Sequence, residues 1–378
     1  MDVSAVRNVE RVTGRERFSS WRPLILDAAS LDDRDELARL TAGGAVFTRH
    51  DTIRDQLRDL FVTRHPGERL ENAALDVSVT AHLAGRPIED YGNWIYYPWS
   101  GQLVHLLPKA EFWELRSDRN RDKITQVEQH QLRRAIIGVV GLSVGRAGAV
   151  TLALEGIGGH FRIADFDRLA LSNLNRLTAG VHELGVNKAV LAARQMFEID
   201  PYLEIEIFPE GLDENNLAGF LGAGAAKLSI LVEECDDFFM KVFARERARA
   251  RRIPVVMDTS DRGLVDIERF DREPERPLFH GLLKEIEAGQ LRGLTTEEKL
   301  PYVMQTIGEK SISRRLAQSM PQIKRTLSTW PQLASGVALG GAVVTDVVRR
   351  ILLGEMTTSG RFYVDIESII SDEVRSGS

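Results

Sequence analysis

The segment 135–148 reads AIIGVVGLSVGRAG and decides the fold. Residues 135–140 form an apolar run without a polar side chain, which is typical of a strand buried on both faces. The glycines after it allow a tight turn, and 146–157 has helical spacing of apolar residues. A strand, a glycine turn and a helix in this order predict the first unit of a parallel α/β sheet.

The same alternation of short apolar runs and helical periods continues toward the C-terminus. It predicts strands at 160–165, 203–208, 228–233 and 254–257, and helices at 188–199, 213–221 and 238–251, with Asp213 as a helix cap. Because helices alternate with strands, right-handed crossovers are expected. We therefore predict an α/β fold with a doubly wound, Rossmann-like, mostly parallel sheet.

The first 116 residues lack this regular alternation and contain mixed segments. They predict an added N-terminal α+β domain at 1–116, followed by a larger domain at 117–378. A helix is expected at 53–64, ended by Pro66 and Gly67, and an aromatic run follows at 91–99. Four of the five tryptophans lie in this part of the chain: Trp21, Trp94, Trp99 and Trp113. They could form the core of a small domain or an exposed aromatic docking surface.

Charge and cysteine content exclude several classes of protein. The 49 Lys and Arg residues against 55 Asp and Glu give a net charge of −6, which disfavours nucleic acid as a partner. A single cysteine, Cys235, excludes an intramolecular disulfide and a zinc site built from Cys pairs, so no zinc is expected.

No membrane partner is expected either. The first residues are basic but lack the apolar region of a secretory signal, which predicts a cytoplasmic protein. The most apolar stretch, 333–353, carries Asp346, Arg349 and Arg350, so it predicts a buried amphipathic helix.

The turn and the next strand carry the first candidate binding residues. Gly141, Ser143 and Gly145 stand where a G-x-G-x-x-G turn would bring backbone N–H groups to phosphate, but Ser143 and Arg146 depart from that pattern. The turn could therefore be a tight connection without a ligand. Asp165 comes 24 residues after Gly141, about where a Rossmann unit places the acid that binds ribose.

The loop after Asp165 favours a triphosphate over a dinucleotide. It ends in Arg176, and Lys188 follows 12 residues later at the start of a predicted helix. A pyrophosphate is held mainly by backbone, whereas two cations suit the larger charge of ATP. The simpler interpretation is that Arg176 and Lys188 are ordinary surface charges.

At this point the sequence resembles the ThiF/MoeB/HesA adenylyltransferases, relatives of the ubiquitin-activating enzymes, over about 117–378. The matching segments are VVGLSVG, ADFD, SNLNR, HELGVNKA and EECDDFFMK. The resemblance implies ATP and Mg²⁺ as cofactors and a homodimer as the assembly. It also implies a small carrier protein or peptide with a free C-terminal carboxylate as the partner.

The resemblance also implies roles for individual residues. Asp165 would hold the ribose, Asp236 would bind Mg²⁺, and Arg119 or Arg121, with Arg121 favoured, would reach the ATP of the partner subunit. The residues in contact with the nucleotide would be Gly141, Ser143, Gly145, Asp165, Asp167, Asn173, Arg176 and Lys188. The catalytic set would be Arg176, Lys188, Asp236, Arg121 and Arg119. Alternatively, Asp165 and Asp236 could cap the ends of their strands. Arg119 and Arg121 could belong to a solvent-exposed charged segment before a helix.

The chain departs from the family's cysteine chemistry. Many members carry a catalytic cysteine on a loop after the sheet, but here 259–264 has hydroxyls and no sulfur. Cys235 is expected to be structural. The sequence thus predicts adenylation of a carboxylate to acyl-AMP and pyrophosphate without a cysteine thioester. The alternatives are a non-catalytic dimeric binding module with the same fold and a dinucleotide-dependent oxidoreductase.

Overall fold

The computed structural model describes residues 19–69, 71–283, 286–308 and 312–371. The chain divides into two compact units. The first contains the described residues up to Gln126 together with Ala193–Tyr202, and the second contains Val127–Ala192 and the described residues from Leu203 onward. The boundary between 1–116 and 117–378 stays a prediction.

The first unit is built on a four-stranded sheet. Its strands are β1 (Leu24–Asp27), β2 (Thr48–Asp51), β3 (Asn93–Tyr97) and β4 (Gln102–Leu106), in the order β1-β3-β4-β2. Only the β2–β4 pair is parallel. The helices are α1 (Leu31–Ala42), α2 (Ile53–Arg64), α3 (Asn72–Leu83) and α4 (Lys109–Arg116). The predicted helix at 53–64 is thereby confirmed.

Aromatic residues form much of the core of this unit. Trp94 and Trp99 are buried, and Trp94 stacks on the ring of His105 with 4.2 Å between centroids. Trp21 and Trp113 are half-buried. Large rings bury more apolar area per residue than aliphatic side chains, which suits a small core. The core interpretation of Trp94 and Trp99 is confirmed.

The second unit contains a seven-stranded sheet in the order β11-β10-β9-β8-β5-β6-β7. The strands are β5 (Ile136–Val140), β6 (His160–Ala164), β7 (Glu204–Phe208), β8 (Ile230–Glu233), β9 (Val255–Thr259), β10 (Leu264–Glu268) and β11 (Gly360–Tyr363). The five strands from β9 to β7 run parallel, and β10 is antiparallel to both neighbours. The predicted fold class is confirmed.

Helices connect and cover these strands. They are α5 (Gln126–Leu132), α6 (Gly145–Glu155), α7 (Lys188–Ile199), α8 (Leu217–Leu221), α9 (Phe238–Ala250), α10 (Thr296–Ile307), α11 (Arg314–Ser319), α12 (Ala334–Leu352) and α13 (Ile366–Ile369). Since β5 pairs with β6 on one side and β8 on the other, the strand order reverses at β5. Ligands of doubly wound sheets bind at that point.

Two local predictions are corrected by the structure. The helix predicted at 213–221 begins only at Leu217, because Asp213 Oδ1 accepts hydrogen bonds from the N–H groups of Asn215 and Asn216 and forms a turn instead. Strand β10 was not predicted, since its charged residues Asp266 and Glu268 are both buried there.

Helix α12 packs closely on α6. A Cβ added to Gly341 would lie 2.8 Å from the backbone of Ala147, so only glycine permits this approach. Eight residues of α12 are buried, as expected for an amphipathic helix. Among the described residues, no helix combines the length and apolar character that a membrane crossing requires.

Candidate functional site

The turn between β5 and α6 depends on glycine at two positions. Gly141 has φ +83°, and a Cβ there would lie 2.4 Å from the carbonyl oxygen of Glu234. Gly145 begins α6, and its Cβ would lie 3.0 Å from Val139 Cγ1. Glycine lets the chain turn sharply, so the N-terminus of α6 comes to the carboxyl end of β5.

Asp165 connects this turn to the end of β6. Its Oδ2 accepts a hydrogen bond from the N–H of Leu142 at 2.7 Å, and its Oδ1 accepts one from the N–H of Asp167 at 2.8 Å. Burial raises the pKa of Asp165, while the charge of Lys188 and the two N–H groups oppose the rise. The carboxyl group therefore fixes two neighbouring loops relative to each other.

Lys188 and Asp167 form an ion pair beside Asp165. Lys188 Nζ lies 2.8 Å from Asp167 Oδ2, and the N–H of Lys188 donates to the carbonyl of Asp167 at 2.9 Å. The lysine side chain is 5% exposed, whereas that of Asp167 is 53% exposed. The ammonium group is thus buried, while its carboxylate partner is open to solvent.

Arg176 brings a second cation to the turn. Its Nη2 lies 3.3 Å from Ser143 Oγ, and its Nη1 donates to Asn175 Oδ1 at 3.0 Å. Its Nε is buried and has no hydrogen-bond acceptor among the residues that the structure describes. Burial lowers the pKa of Arg176, and the charge of Asp236 opposes the decrease. The guanidinium stays charged and has a donor available for an anion.

Asn173 shapes the loop that carries Arg176. Its Oδ1 accepts a hydrogen bond from the N–H of Ala170 at 3.0 Å, which closes a short turn at 171–173. The neighbouring Asn175 donates to the carbonyl of Gln332 at 2.9 Å. The side-chain oxygen of Asn173 is thus engaged within the loop.

Asp236 lies in the loop between β8 and α9 and is exposed. The next residue, Asp237, caps α9 by accepting a hydrogen bond from the N–H of Met240 at 3.0 Å. No group of three or more His, Cys, Asp or Glu side chains suited to a metal occurs in the described ranges. Mg²⁺ commonly binds one or two carboxylates together with substrate phosphates, a role that one exposed aspartate can fill.

Arg119 and Arg121 belong to the first unit. Arg119 is exposed. Arg121 Nη2 pairs with Asp118 Oδ1 at 2.5 Å and lies 3.5 Å from the carbonyl oxygen of Thr63. The action of either arginine on a partner subunit stays a prediction.

Comparison with protein families gives a match to the ThiF family over residues 117–369. The chain belongs to the ThiF family. An uncharacterized protein of Mycobacterium tuberculosis, MT1398, is 47% identical over 283 residues, which are 75% of this chain and 39% of that protein. The molybdopterin-synthase adenylyltransferase of Haemophilus influenzae is 26% identical over 158 residues, 41% of this chain and 63% of that protein. The chain thus spans less than two thirds of either relative.

Among solved structures, the E. coli tRNA N6-threonylcarbamoyladenosine dehydratase TcdA matches 64% of this chain and 96% of its own. The TM-score is 0.46 and the sequence identity is 18%.

A buried ionic cluster beside the ThiF motif residues was not predicted. Glu233, at the end of β8, is fully buried and pairs with Lys241 at 2.9 Å and with Arg245. Arg245 also pairs with Glu268 at 2.8 Å. Burial alone would raise the pKa of Glu233, but the charges of Lys241 and Arg245 lower it to about 2. Arg245 is thus fully buried although it lies in an arginine-rich stretch of the helix α9.

The thiol of Cys235 is part of this cluster. Its Sγ lies 2.8 Å from Glu233 Oε1 and donates a hydrogen bond to it. Burial and the charge of Glu233 raise the pKa of Cys235, so the thiol stays protonated near neutral pH. In the sequence, the adjacent residues Glu233 and Glu234 directly follow the apolar residues of β8, and this pattern could have indicated buried charged contacts.

Proposed function

We propose that the second unit binds ATP at the turn after β5 and transfers AMP to a carboxylate. Arg176 carries this proposal, because its Nη2 contacts Ser143 while its buried Nε finds no acceptor in the described part of the chain. A buried donor on a permanent cation is stabilised when an anion occupies the space beside it. Membership of the ThiF family favours this activity over a dinucleotide-dependent oxidoreductase.

The residues at the turn fit a nucleoside triphosphate. Gly141 and the N-terminus of α6 would present backbone N–H groups to phosphate, and Arg176 and Lys188 would offset its charge. Asp165 would accept hydrogen bonds from the ribose, because each of its oxygens makes one N–H contact and retains acceptor capacity. Gly145, Asp167 and Asn173 would support these contacts by holding the loops.

The reaction needs positioning and charge compensation from the protein. A carboxylate oxygen attacks the α-phosphorus, the bond to the bridging oxygen breaks, and pyrophosphate leaves with the electron pair. Asp236 would hold Mg²⁺ together with the phosphates. The ion would supply positive charge to the phosphate oxygens.

The acyl substrate in this proposal is a C-terminal carboxylate of a small protein or peptide. The Haemophilus relative is by name an adenylyltransferase of molybdopterin synthase, which is itself a protein. We infer that no cysteine thioester forms on this chain, because its single thiol, Cys235, donates to Glu233 and stays protonated.

The proposal includes a cytoplasmic homodimer. In that assembly Arg119 or Arg121 of one subunit would contact the nucleotide of the other. Both arginines are exposed, but Arg121 is already paired with Asp118, so Arg119 is the better candidate of the two.

Calorimetry with Mg²⁺ and ATP, followed by pyrophosphate–ATP exchange, tests the proposal. The chain should bind Mg²⁺–ATP, and exchange should require a peptide with a free C-terminal carboxylate. The same peptide with a C-terminal amide is the matched control and should support none. Absence of Mg²⁺–ATP binding would overturn the proposal.

A further inference from the structure

Asn187 is a residue of the HELGVNKA segment to which the proposed reaction gives no role. It directly precedes α7, whose first residue is Lys188. Its side-chain oxygen accepts hydrogen bonds from the N–H groups of Ala189 at 2.9 Å and of Val190 at 3.3 Å. Asn187 therefore caps α7 and fixes the first turn of the helix.

The amide nitrogen of Asn187 connects this helix to two strands of the sheet. Its Nδ2 donates to the carbonyl oxygen of Asp165, which follows β6, and to that of Pro209, which follows β7, both at 3.0 Å. The four hydrogen bonds use both donors and both acceptor sites of the amide. The start of α7 is thus held against the carboxyl ends of β6 and β7.

This connection determines where the side chain of Lys188 begins. The lysine follows Asn187 directly, and its own N–H donates to the carbonyl of Asp167 at 2.9 Å. Its ammonium group is buried and lies 2.8 Å from Asp167 Oδ2. A buried side chain moves with its backbone, so a shift of α7 away from the sheet would displace the ammonium group from the end of β6.

A helix cap alone does not require asparagine at this position. Aspartate and serine cap helices about as well. Aspartate has no donor, and its charge would face two carbonyl oxygens, while serine has one donor on a short side chain. The connection to both strands therefore depends on the amide, and it is a second task of Asn187 beside the cap.

We propose that Asn187 is a positioning residue that holds the ammonium group of Lys188 in place for the phosphates of the nucleotide. The inference rests on the proposed function, since that function has Lys188 offset the charge of ATP. Asn187 does not touch the nucleotide and acts through the backbone of α7. Because the first turn is already held in place, the ammonium group meets the phosphates without a movement of the helix.

Calorimetry of Mg²⁺–ATP tests the proposal with a variant that keeps the cap and loses the connection. Asn187→Ser should bind about tenfold more weakly than wild type, as expected when positioning hydrogen bonds are lost. Asn216→Ser is the matched control and should bind as wild type does. Asn216 also directly precedes a helix, α8, and its Nδ2 donates to the carbonyl of Gly211 at 2.9 Å.

A double-mutant cycle shows whether Asn187 acts through the lysine. Without the ammonium group there is no charge to position. Lys188→Ala and the double variant with Asn187→Ser and Lys188→Ala should therefore bind Mg²⁺–ATP with equal affinity. If Asn187 only stabilised the fold, the loss of affinity would persist on the Lys188→Ala background, and this result would overturn the inference.

Chemical labelling of Lys188 separates the inference from the proposed function, because it needs no nucleotide. Acetic anhydride should acetylate the buried Lys188 slowly in the wild type, and mass spectrometry compares its rate with that of the exposed Lys123. The rate at Lys188 should rise several-fold in Asn187→Ser and stay unchanged in Asn216→Ser. Labelling also decides the matter if Lys188→Ala binds ATP too weakly for calorimetry. Should Asn187→Ser not fold, Asn187→Asp also keeps the cap and lacks the donors.

Two further results would overturn the inference while the proposed function stands. One is wild-type affinity for Mg²⁺–ATP in Asn187→Ser, and the other is an unchanged rate of labelling at Lys188 in that variant. If no protein binds Mg²⁺–ATP but the labelling of Lys188 rises in Asn187→Ser alone, the proposed function fails and the positioning of Lys188 by Asn187 stands.

Discussion

Arg176 Nη2 lies 3.3 Å from Ser143 Oγ, which joins the loop after β6 to the turn after β5. Ser143 stands where a G-x-G-x-x-G turn would have its second glycine. A hydroxyl at this position contacts the arginine. The departure from the glycine pattern is therefore compatible with a second cation at the turn, and the two features belong to one site.

Replacing Arg176 should remove most of the pyrophosphate–ATP exchange activity. Arg176→Ala leaves no cation beside Ser143, so pyrophosphate–ATP exchange should fall by about 10²- to 10³-fold. Arg168→Ala is the matched control, because Arg168 is exposed on the same loop and donates to the carbonyl of Gly185. Full exchange activity in Arg176→Ala would contradict the site.

Asp236 should determine the magnesium dependence of the reaction. Asp236→Asn removes the exposed carboxylate, so exchange should fall about 10²-fold or more and require a higher Mg²⁺ concentration. Asp237→Asn is a neighbouring control, since asparagine also caps a helix and the cap on α9 should persist. Exchange rates measured at increasing Mg²⁺ concentration would reveal the difference between the two variants. Identical Mg²⁺ dependence would contradict the assignment of Asp236 as a magnesium ligand.

Cys235 should be dispensable for exchange. Cys235→Ser keeps a donor to Glu233, so the variant should exchange pyrophosphate as wild type does. Because burial and Glu233 raise the pKa of the thiol, iodoacetamide should label native Cys235 slowly at neutral pH and faster in alkaline solution. Mass spectrometry measures the labelling, with the unfolded protein as reference. Loss of exchange together with rapid labelling would indicate a nucleophile.

Gly141 should tolerate no side chain. Gly141→Ala places a Cβ 2.4 Å from the oxygen of Glu234 at φ +83°, whereas Gly185 has φ +87° and open space around it. Gly185→Ala should cost about 1–2 kcal/mol of unfolding free energy through its backbone alone. Gly141→Ala should cost about 1–3 kcal/mol more because of the close contact. Urea denaturation measures the unfolding free energy of both variants. Equal losses of unfolding free energy would show that the contact with Glu234 does not destabilise Gly141→Ala.

The Glu233 carboxylate should stabilise the fold above acidic pH. Its pKa in the folded chain, about 2, is below its usual value of 4.5, so this stability is present above about pH 4.5 and is lost as the pH falls toward 2. Glu233→Gln leaves Lys241 and Arg245 without this partner and should cost about 3–5 kcal/mol at neutral pH.

The control for Glu233 is a more exposed ion pair. Glu206 is 53% exposed and pairs with Arg162, so Glu206→Gln should cost less than about 1 kcal/mol. Urea denaturation at several pH values measures both variants. A Glu233→Gln protein as stable as Glu206→Gln would show that the buried pairs contribute little.

The parallel strands could be predicted because their apolar runs stand between glycine turns and helical periods. Asp165 and Arg176 were expected near the glycine turn because the loop after a parallel strand begins at the carboxyl edge of the sheet, and their roles toward a nucleotide, like that of Lys188, stay predictions. Strand β10 could not be predicted, since Asp266 and Glu268 interrupt its apolar pattern. These carboxylates are buried because they form ion pairs with arginines that are distant in the sequence. Arg361 pairs with Asp266 and Arg245 with Glu268.

The assignment of Ala193–Tyr202 to the first unit could not be predicted either. Helix α7 has one continuous apolar pattern, and nothing local marks the point where its residues pass from one unit to the other. Which core a buried face packs against depends on tertiary contacts that periodicity does not encode.

The close approach of Gly341 to Ala147 has a consequence for the order of folding. Most of the second unit lies between these residues in the sequence, so their contact closes a very long loop. During synthesis, α6 leaves the ribosome long before α12 can reach it. Helix α6 thus gains this contact only after most of the unit has been translated.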